Sequence, residues 1–477
     1  MTALTEAKAL PNVKEDLEQA HALFYQSKYA EVLPLYRKLL ESDLNDYLVW
    51  GNLGISLRYL GYYDSAVICL KRADELYPNS PAIIRHHAYC LMLLNRKDES
   101  LCAFAAALRL APNDFNVHTF YASALREFDM NEEALIHYHA ALAIDPKHIE
   151  IRWQCADVYL RLGRFNQGWK DFENRWNLGK DSLFSAMAEE EKTYTSQRWK
   201  GEDLKNKTIH IYGEQGFGDT ILCSRYIPMV KARGGRVIFR GTPELRHLFQ
   251  DIPGVDLYFE GGAVEGKIDY HVPVMSLPGL LGTEVSSIPP ATTLHVPAAP
   301  PAEAARLLNL AKDSFKVGIV WTGRPTFATN YKRAVSLARF LPLAEIPGVQ
   351  LYSLQKGIGE QELADCGAQG LILEFGPHLK DFADTAAVLK NLDLVIMTDS
   401  SVAHLAGSIG CPIWNLLSTG AYWVYLTGRE DSPWYPSMRL FRQPDPGDWD
   451  SVFKKVATEL EKAVALKKSG KWSWPKT

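Results

Sequence analysis

From about residue 13 to residue 180 the chain carries pairs of apolar stripes at helical spacing, separated by short polar turns, and the pattern returns every 34 residues. Small residues stand at Ala20, Gly54, Ala88, Ala122 and Ala156, and large ones at Tyr36, Leu70, Phe104, Tyr138 and Phe172. Pro78, Pro112 and Pro146 keep the same register, with Leu44 in place of the first proline. The unit WGNLGISLRYLGYYDSAVICLKRADELYP (Trp50–Pro78) predicts two helices around the turn LGYYDSA. Its small residue lets the first helix approach the second. Its large residue fills the gap between neighbouring units. Proline stops the second helix, because it lacks an N–H and clashes with the preceding turn. No unit buries its apolar face alone, so five units predict a stacked solenoid with a concave surface. Tyr29, Tyr63 and Phe165 read as packing residues. The fifth unit has Arg175 where Ala73, Ala107 and Ala141 stand earlier, which reads as a cap or a junction.

Beyond residue 180 the period changes. Residues 181–206 are polar and aperiodic and read as a connector. KTIHIYG, RVIFR, VDLYF and IDYHV then read as short strands, with the loop EQGFGD after the first and an apolar helix from about Thr220 to Ala232. Five prolines fall between Ile288 and Pro301, an expected linker. KVGIVWTG, VQLYSLQKG, GLILEFG, DLVIMTD and CPIWNLL follow with helices between them, and a last helix is expected from about Trp449 to Lys467. Strands alternating with helices predict parallel sheets. The expected organisation is a solenoid over 13–180, a connector over 181–206, one α/β lobe over 207–287, a linker over 288–315 and a second α/β lobe over 316–467. Ligands of such sheets sit at the carboxyl ends of the strands.

Composition narrows the function classes. Of 477 residues, 52 are Lys or Arg and 56 are Asp or Glu, a formal net charge of −4 that excludes a broadly basic nucleic-acid coat. No apolar run reaches the roughly 18 residues of a membrane span, and the amino-terminal stretch has no apolar signal core. Seven scattered cysteines without a CxxC pair read as reduced thiols, and the expected location is the cytoplasm.

Two loops could carry chemistry. Gly216-Phe217-Gly218-Asp219 follows the first strand and opens a helix, and its two glycines permit close approach of a ligand. It is not a dinucleotide fingerprint: Ile221 replaces the third glycine and the second strand ends in Arg240. Asp219 alone would equally suit a helix N-cap. Thr398-Asp399-Ser400-Ser401-Val402-Ala403-His404 follows DLVIM and opens another helix, whose free N–H groups suit phosphate oxygens. A capped helix with His404 packed inside is the plainer reading. Lys332, Arg333 and Lys356 follow strands and could neutralise a diphosphate, or be solvated surface charges. Glu214 and Gln215 are ambiguous. Asp448-Trp449-Asp450 is formally a DxD, but its place before the last helix favours capping. No HExxH, Cys/His cluster or GxSxG is present.

The repeat register resembles the tetratricopeptide repeat. RWKGEDL, EQGFGDTILCSRYIPMV, SLQKG, DFADTAAVLKNLDLVIMTDSSVAHLAG and GREDSPWYPSMRLFRQPDPGDW together resemble bacterial tetratricopeptide-repeat glycosyltransferases, with a catalytic half similar to the heptosyltransferase group. The resemblance implies an α solenoid followed by an α/β GT-B fold of two Rossmann-like domains. It implies an enzyme, a metal-independent inverting glycosyltransferase that moves a sugar from a nucleotide-sugar to a hydroxyl of a protein, flagellin in some relatives. It implies Asp219 as general base. It implies donor contacts from Gly216, Gly218, Arg333 or Lys332, Gln355, Lys356, Asp399, Ser400, Ser401 and His404. One departure is Val335, where relatives place a basic residue directly before the serine, so Arg333 or Lys332 must serve instead. The expected partners are an acceptor protein on the concave face and the nucleotide-sugar co-substrate. No cofactor, nucleic acid or membrane span is expected, and the oligomeric state stays open. Two alternatives remain. One is a transferase for a glycan or lipid-glycan, using the repeats for assembly. The other is a non-catalytic scaffold, against which the intact Asp219 and basic set speak.

Overall fold

The structure, a computed structural model, describes residues 13–180, 182, 184–214, 216–261, 266–324 and 330–473. The chain divides into two compact units, Met1–Ile151 and Arg152–Thr477.

The first unit is a solenoid of antiparallel helix pairs: α1 (Val13–Tyr25) with α2 (Tyr29–Ser42), α3 (Tyr47–Tyr59) with α4 (Tyr63–Leu76), α5 (Pro81–Leu93) with α6 (Lys97–Leu110), and α7 (Phe115–Glu127) with α8 (Asn131–Ile144). A further pair, α9 (Ile149–Arg161) and α10 (Phe165–Phe172), follows and falls almost wholly in the second unit. The repeating small and large residues are all buried. At Gly54 an added Cβ would lie 2.7 Å from Cγ of Leu70, so this helix pair needs the smallest residue where the other units accommodate alanine. α4, α6 and α8 end two residues before Pro78, Pro112 and Pro146. A second 34-residue register, which the apolar pattern does not reveal, lies in the turns. Ser27, Gly61, Asn95, Asp129 and Gly163 all take a positive φ, between 58° and 84°. This left-handed residue closes each first helix with a reversed bond, such as Tyr62 N–H to the Leu57 carbonyl at 2.9 Å.

The second unit holds two all-parallel sheets with helices. The first contains β1 (Gln197–Arg198), β2 (Thr208–Tyr212), β3 (Arg236–Arg240), β4 (Leu257–Phe259) and β5 (Tyr270–Pro273), in the order β1-β5-β2-β3-β4. The second contains β6 (Phe315–Val320), β7 (Val349–Ser353), β8 (Leu373–Glu374), β9 (Leu394–Thr398), β10 (Ile413–Leu417) and β11 (Met438–Arg442), in the order β11-β10-β9-β6-β7-β8. β9 and β10 are buried along their whole length, which is why they read as continuous apolar runs. Chain order reverses beside β2 in one sheet and between β6 and β9 in the other. The loops after β2 and β9 therefore open at topological switch points, where ligands of such sheets bind.

Five details differ from the sequence reading. The expected linker over 288–315 contains the helix Ala302–Leu310 and the first residue of β6. Residues 181–206 include a helix, Ser185–Glu191, and the edge strand β1, which pairs with β5 through only two residues. The helix expected over 220–232 is broken into Phe217–Cys223, the 3-10 turn Ser224–Tyr226 and Ile227–Lys231, because Pro228 has no N–H to continue it. GLILEFG forms only the two-residue strand β8. SMRLFR, not anticipated as a strand, forms β11 on the outer edge beside β10.

Candidate functional site

The two loop motifs meet. The helices Phe217–Cys223 and Ser401–Ser408, each opened by one of them, pack directly on one another. Gly218 makes this approach possible. A Cβ there would lie 2.7 Å from Cδ2 of His404 and 3.3 Å from Cα of Ser401. Gly218→Ala is therefore expected to lower unfolding stability by about 1–3 kcal/mol through overpacking. Urea denaturation would check this, and an unchanged midpoint would contradict the contact.

Asp219 is the third residue of its helix. It is not the N-cap: that position belongs to Gly216, which has no side chain to cap the terminus with. Instead Oδ1 of Asp219 accepts a hydrogen bond from the Tyr422 hydroxyl at 3.0 Å. As a whole residue Asp219 is half-buried, and protein surrounds its carboxyl densely. Burial pushes its pKa up from 3.8 to about 7. The Tyr422 bond opposes the rise, the charges of Asp399 and Glu214 add to it, and Arg333 opposes it. Oδ2 lies over Gly216, 3.5 Å from where a Cβ would stand. Gly216 is exposed and its backbone is extended (φ −147°), so no side chain at this position covers that side of the carboxylate.

Asp399 follows the carboxyl end of β9. Its Oδ1 accepts from the Tyr425 hydroxyl at 2.6 Å, and its Oδ2 lies 3.5 Å from Nη1 of Arg333. Ser400 starts the following helix with extended backbone, and its Oγ is buried with no hydrogen-bond partner among the described residues. Ser401 is the first helical residue. His404 is buried, with Nδ1 3.1 Å from the Tyr435 hydroxyl, and burial lowers its pKa to about 4, leaving the imidazole neutral at pH 7. The one segment Tyr422–Tyr425 thus orients both acids, one from each sheet. Trp423 anchors it among Phe165, Trp169 and Trp434. Leu426 closes it at φ 49°, a strained conformation for a non-glycine residue.

Arg333 is the residue of its pair that reaches Asp399. It also bonds Asn330 Oδ1 at 3.3 Å, and Lys332 stands beside it on the short helix Asn330–Arg333. Val335 is buried core. Gln355 is also buried, and its Oε1 accepts from the N–H groups of Trp321 and Thr322 at 3.2 Å each, tying the ends of β6 and β7. Lys356 donates to the carbonyls of Gly376 and Leu379. These two residues are used within the fold, and a phosphate contact from Lys356 requires those bonds to be given up. Glu214 is fully buried and forms a bidentate pair with Arg175, at 3.0 and 2.9 Å, while also accepting from Met275 N–H at 3.0 Å. The departure in the fifth repeat is thus an ionic joint to the first sheet. Asp448 caps the final helix through Ser451 N–H at 3.0 Å, and Asp450 pairs with Arg339. Gln215 and residues 325–329 lie outside the described residues.

Sequence reasoning missed Tyr422, Tyr425 and Arg225. The available signal for the tyrosines was the aromatic run AYWVYL directly after the carboxyl end of β10. Arg225, beside the first motif, is buried and donates to the carbonyls of Pro289 and Trp434 at 3.1 and 3.0 Å, tying the two sheets' segments together.

The Tetratricopeptide repeat family model matches residues 57–180. Protein FlbA of Caulobacter vibrioides is 29% identical over 482 residues, an alignment spanning 94% of this chain and 74% of FlbA. Among solved structures, MamA (41-end) from Desulfovibrio magneticus RS-1 is 17% identical with a TM-score of 0.31, covering 39% of this chain and 100% of its own. YrrB, described as a TPR protein with an unusual peptide-binding site, is 17% identical with a TM-score of 0.30, covering 38% of this chain and 100% of its own.

Proposed function

We propose that the chain is a glycosyltransferase of the two-lobed GT-B kind, which transfers a sugar from a nucleotide-sugar to a hydroxyl of a protein held by the repeats. The observation that carries the reading is Asp219, a carboxyl brought to a pKa of about 7 at one switch point and facing the anion-suited loop of the other. In the proposed step the acceptor oxygen attacks the anomeric carbon and its proton passes to Oδ2 of Asp219. The bond from the anomeric carbon to the phosphate oxygen breaks, and the nucleotide leaves with the electron pair. Its developing charge lies at Arg333 and at the N–H groups opening Ser401–Ser408. Direct displacement inverts the configuration. A pKa near neutrality suits a general base, since about half of the group is ionised at pH 7 and each ionised carboxylate is a competent proton acceptor.

One observation favours a non-catalytic scaffold: Tyr422, Tyr425 and the Gly376 and Leu379 carbonyls already occupy Asp219, Asp399 and Lys356. Gly216→Val separates the two readings. Valine adopts the extended backbone without strain and covers Oδ2. The transferase reading expects a loss of about tenfold or more in transfer rate with normal folding, because misplacement of a reacting proton acceptor is costly. Released nucleotide per unit time, measured on purified protein, checks it. Wild-type release by the folded variant would count against Oδ2 as the base.

A further inference from the structure

One position in the repeat register changes character in the fifth unit. Leu33, Val67, Leu101 and Leu135 stand at the same place in the second helices of the first four units, and Trp169 stands there in α10. An aliphatic side chain suffices to pack one helix on the next. The larger indole reaches elements of both sheets instead. Its Nε1 donates to the Thr283 carbonyl at 3.0 Å, on the first sheet's side. A Cβ at Gly279, in the helix Leu277–Leu280 after β5, would lie 3.1 Å from Cβ of Trp169, so that helix lies close against α10. On the second sheet's side the indole meets the Trp423 ring edge-on, with centroids 5.3 Å apart. Phe165 and Phe172 of α10 approach the same ring at 6.3 and 6.4 Å. The Arg161 carbonyl of α9 accepts from Thr427 N–H at 2.9 Å.

Packing of aromatic rings at a joint accounts for stability and no more. The residue beside Trp423 gives this joint a chemical consequence. Tyr422 bonds Asp219 through a hydroxyl at the far end of its ring, so a small rotation of backbone at 422–423 carries that hydroxyl out of hydrogen-bond range. The two ends of the segment Tyr422–Tyr425 are held differently. Arg442 of β11 donates to the Tyr425 carbonyl at 2.7 Å, which fixes the end serving Asp399 within the second sheet. The end serving Asp219 rests on the Trp423 ring, and that ring rests on α10. We propose that Trp169 is a positioning residue for Asp219: through Trp423 it holds the Tyr422 hydroxyl on the Asp219 carboxyl, which makes the fifth repeat part of the reacting unit. The effect on rate rests on the transferase reading, whereas the effect on Asp219 itself does not.

The test uses the full chain with Trp169→Leu, which restores the aliphatic residue of the other repeats. Denaturant midpoints from about pH 5 to pH 9 are taken for each variant beside its Asp219→Asn twin, so that proton uptake by Asp219 is read by subtraction. The Tyr422 bond holds the Asp219 pKa down against burial, so its loss should carry the pH-dependent fall in stability further above pH 7. Trp169→Leu and Tyr422→Phe should both move it that way, and the double variant no further than Tyr422→Phe alone. Asp399, Glu214, Arg333 and the Cys223 thiol also bear on this carboxyl and are kept in every variant. In nucleotide-release assays Trp169→Leu should lower kcat about tenfold, with KM for the nucleotide-sugar within about twofold, and add little to the loss in Tyr422→Phe. Trp169→Phe keeps a ring against Trp423 and should recover most of that loss. Phe165→Leu is a milder cut against the same ring and should shift the titration less, with the same sign; it reads the joint even where Trp169→Leu does not fold. An Asp219 titration unmoved in these variants, or moved to lower pH as water enters a loosened joint, overturns the proposal. So do additive rate losses for Trp169→Leu and Tyr422→Phe. The expected titration shifts without nucleotide release by the wild type would support the positioning role and count against the transferase reading alone.

Discussion

Under the proposed transferase reading, Asp219→Asn is expected to cut sugar transfer by about 10²–10⁴, the usual worth of a general base, while the protein still folds. Asparagine matches aspartate in size and can still accept the Tyr422 hydroxyl through its carbonyl oxygen. The wild-type rate should rise with pH through about 7 as the carboxyl loses its proton, and the variant should lack that limb. Stability supplies a second readout with a fixed sign. The folded-state pKa is raised above the ordinary 3.8, so the folded state binds more protons between about pH 4 and pH 7. Stability therefore falls as pH rises through that window. Asparagine removes this slope, so the variant should be the more stable protein at pH 8. Denaturant midpoints at pH 5 and pH 8, beside a pH–rate profile, check both halves. A variant that keeps the wild-type rate and pH profile would dismiss Asp219 as the base.

Arg175→Met is expected to be among the most damaging single substitutions in the second unit. The guanidinium is completely buried and binds Glu214 through two bonds, Glu173 at 2.6 Å and Ser276 at 2.8 Å. Removing it strands the buried Glu214 carboxylate, a change that typically costs about 3–5 kcal/mol. Glu214→Gln added to Arg175→Met should recover part of that loss, because the stranded charge goes with it. Arg198 also holds Glu173, at 2.7 Å, so Glu173 alone should prove less sensitive. Urea unfolding of the single and double variants is the measurement. A single variant within about 1 kcal/mol of the wild type would mean that the ion network adds no more than an ordinary surface pair.

The legibility of this chain follows from how many residues share each constraint. The solenoid is written five times over: the same small and large positions must be filled in every unit, from Ala20 to Phe172, so the period stands out. The parallel strands are legible for a related reason. LVIMT and IWNLL are buried on both faces and become unbroken apolar runs. β1 is not legible, because a two-residue edge strand imposes almost no pattern.

At the site, Asp399 follows a strand end and Asp219 lies in the first turn of the helix after β2, both in recognisable motifs, and the fold brings their helices together. Arg333 rather than Lys332 reaching Asp399 is a matter of side-chain direction on one short helical turn, which spacing does not encode. Tyr422 and Tyr425 were hidden for a different reason. Their roles depend on a loop after β10 that serves an acid from each sheet, 203 residues away in one case and 26 in the other. Gln355 and Lys356 carried the expected residue types but are engaged by neighbouring backbone, a use that chemistry alone does not distinguish from ligand binding.

Intact-mass spectrometry of cellular proteins tests the central claim most directly. Cells lacking the chain would be complemented with the wild type or with Asp219→Asn, and proteins captured by the wild-type chain would be weighed from each. The transferase reading expects captured proteins to carry whole-monosaccharide mass increments with the wild type and none with Asp219→Asn, although the variant captures the same proteins. Identical, unmodified masses from both strains, with capture intact, would contradict glycosyl transfer and leave the chain a binding scaffold.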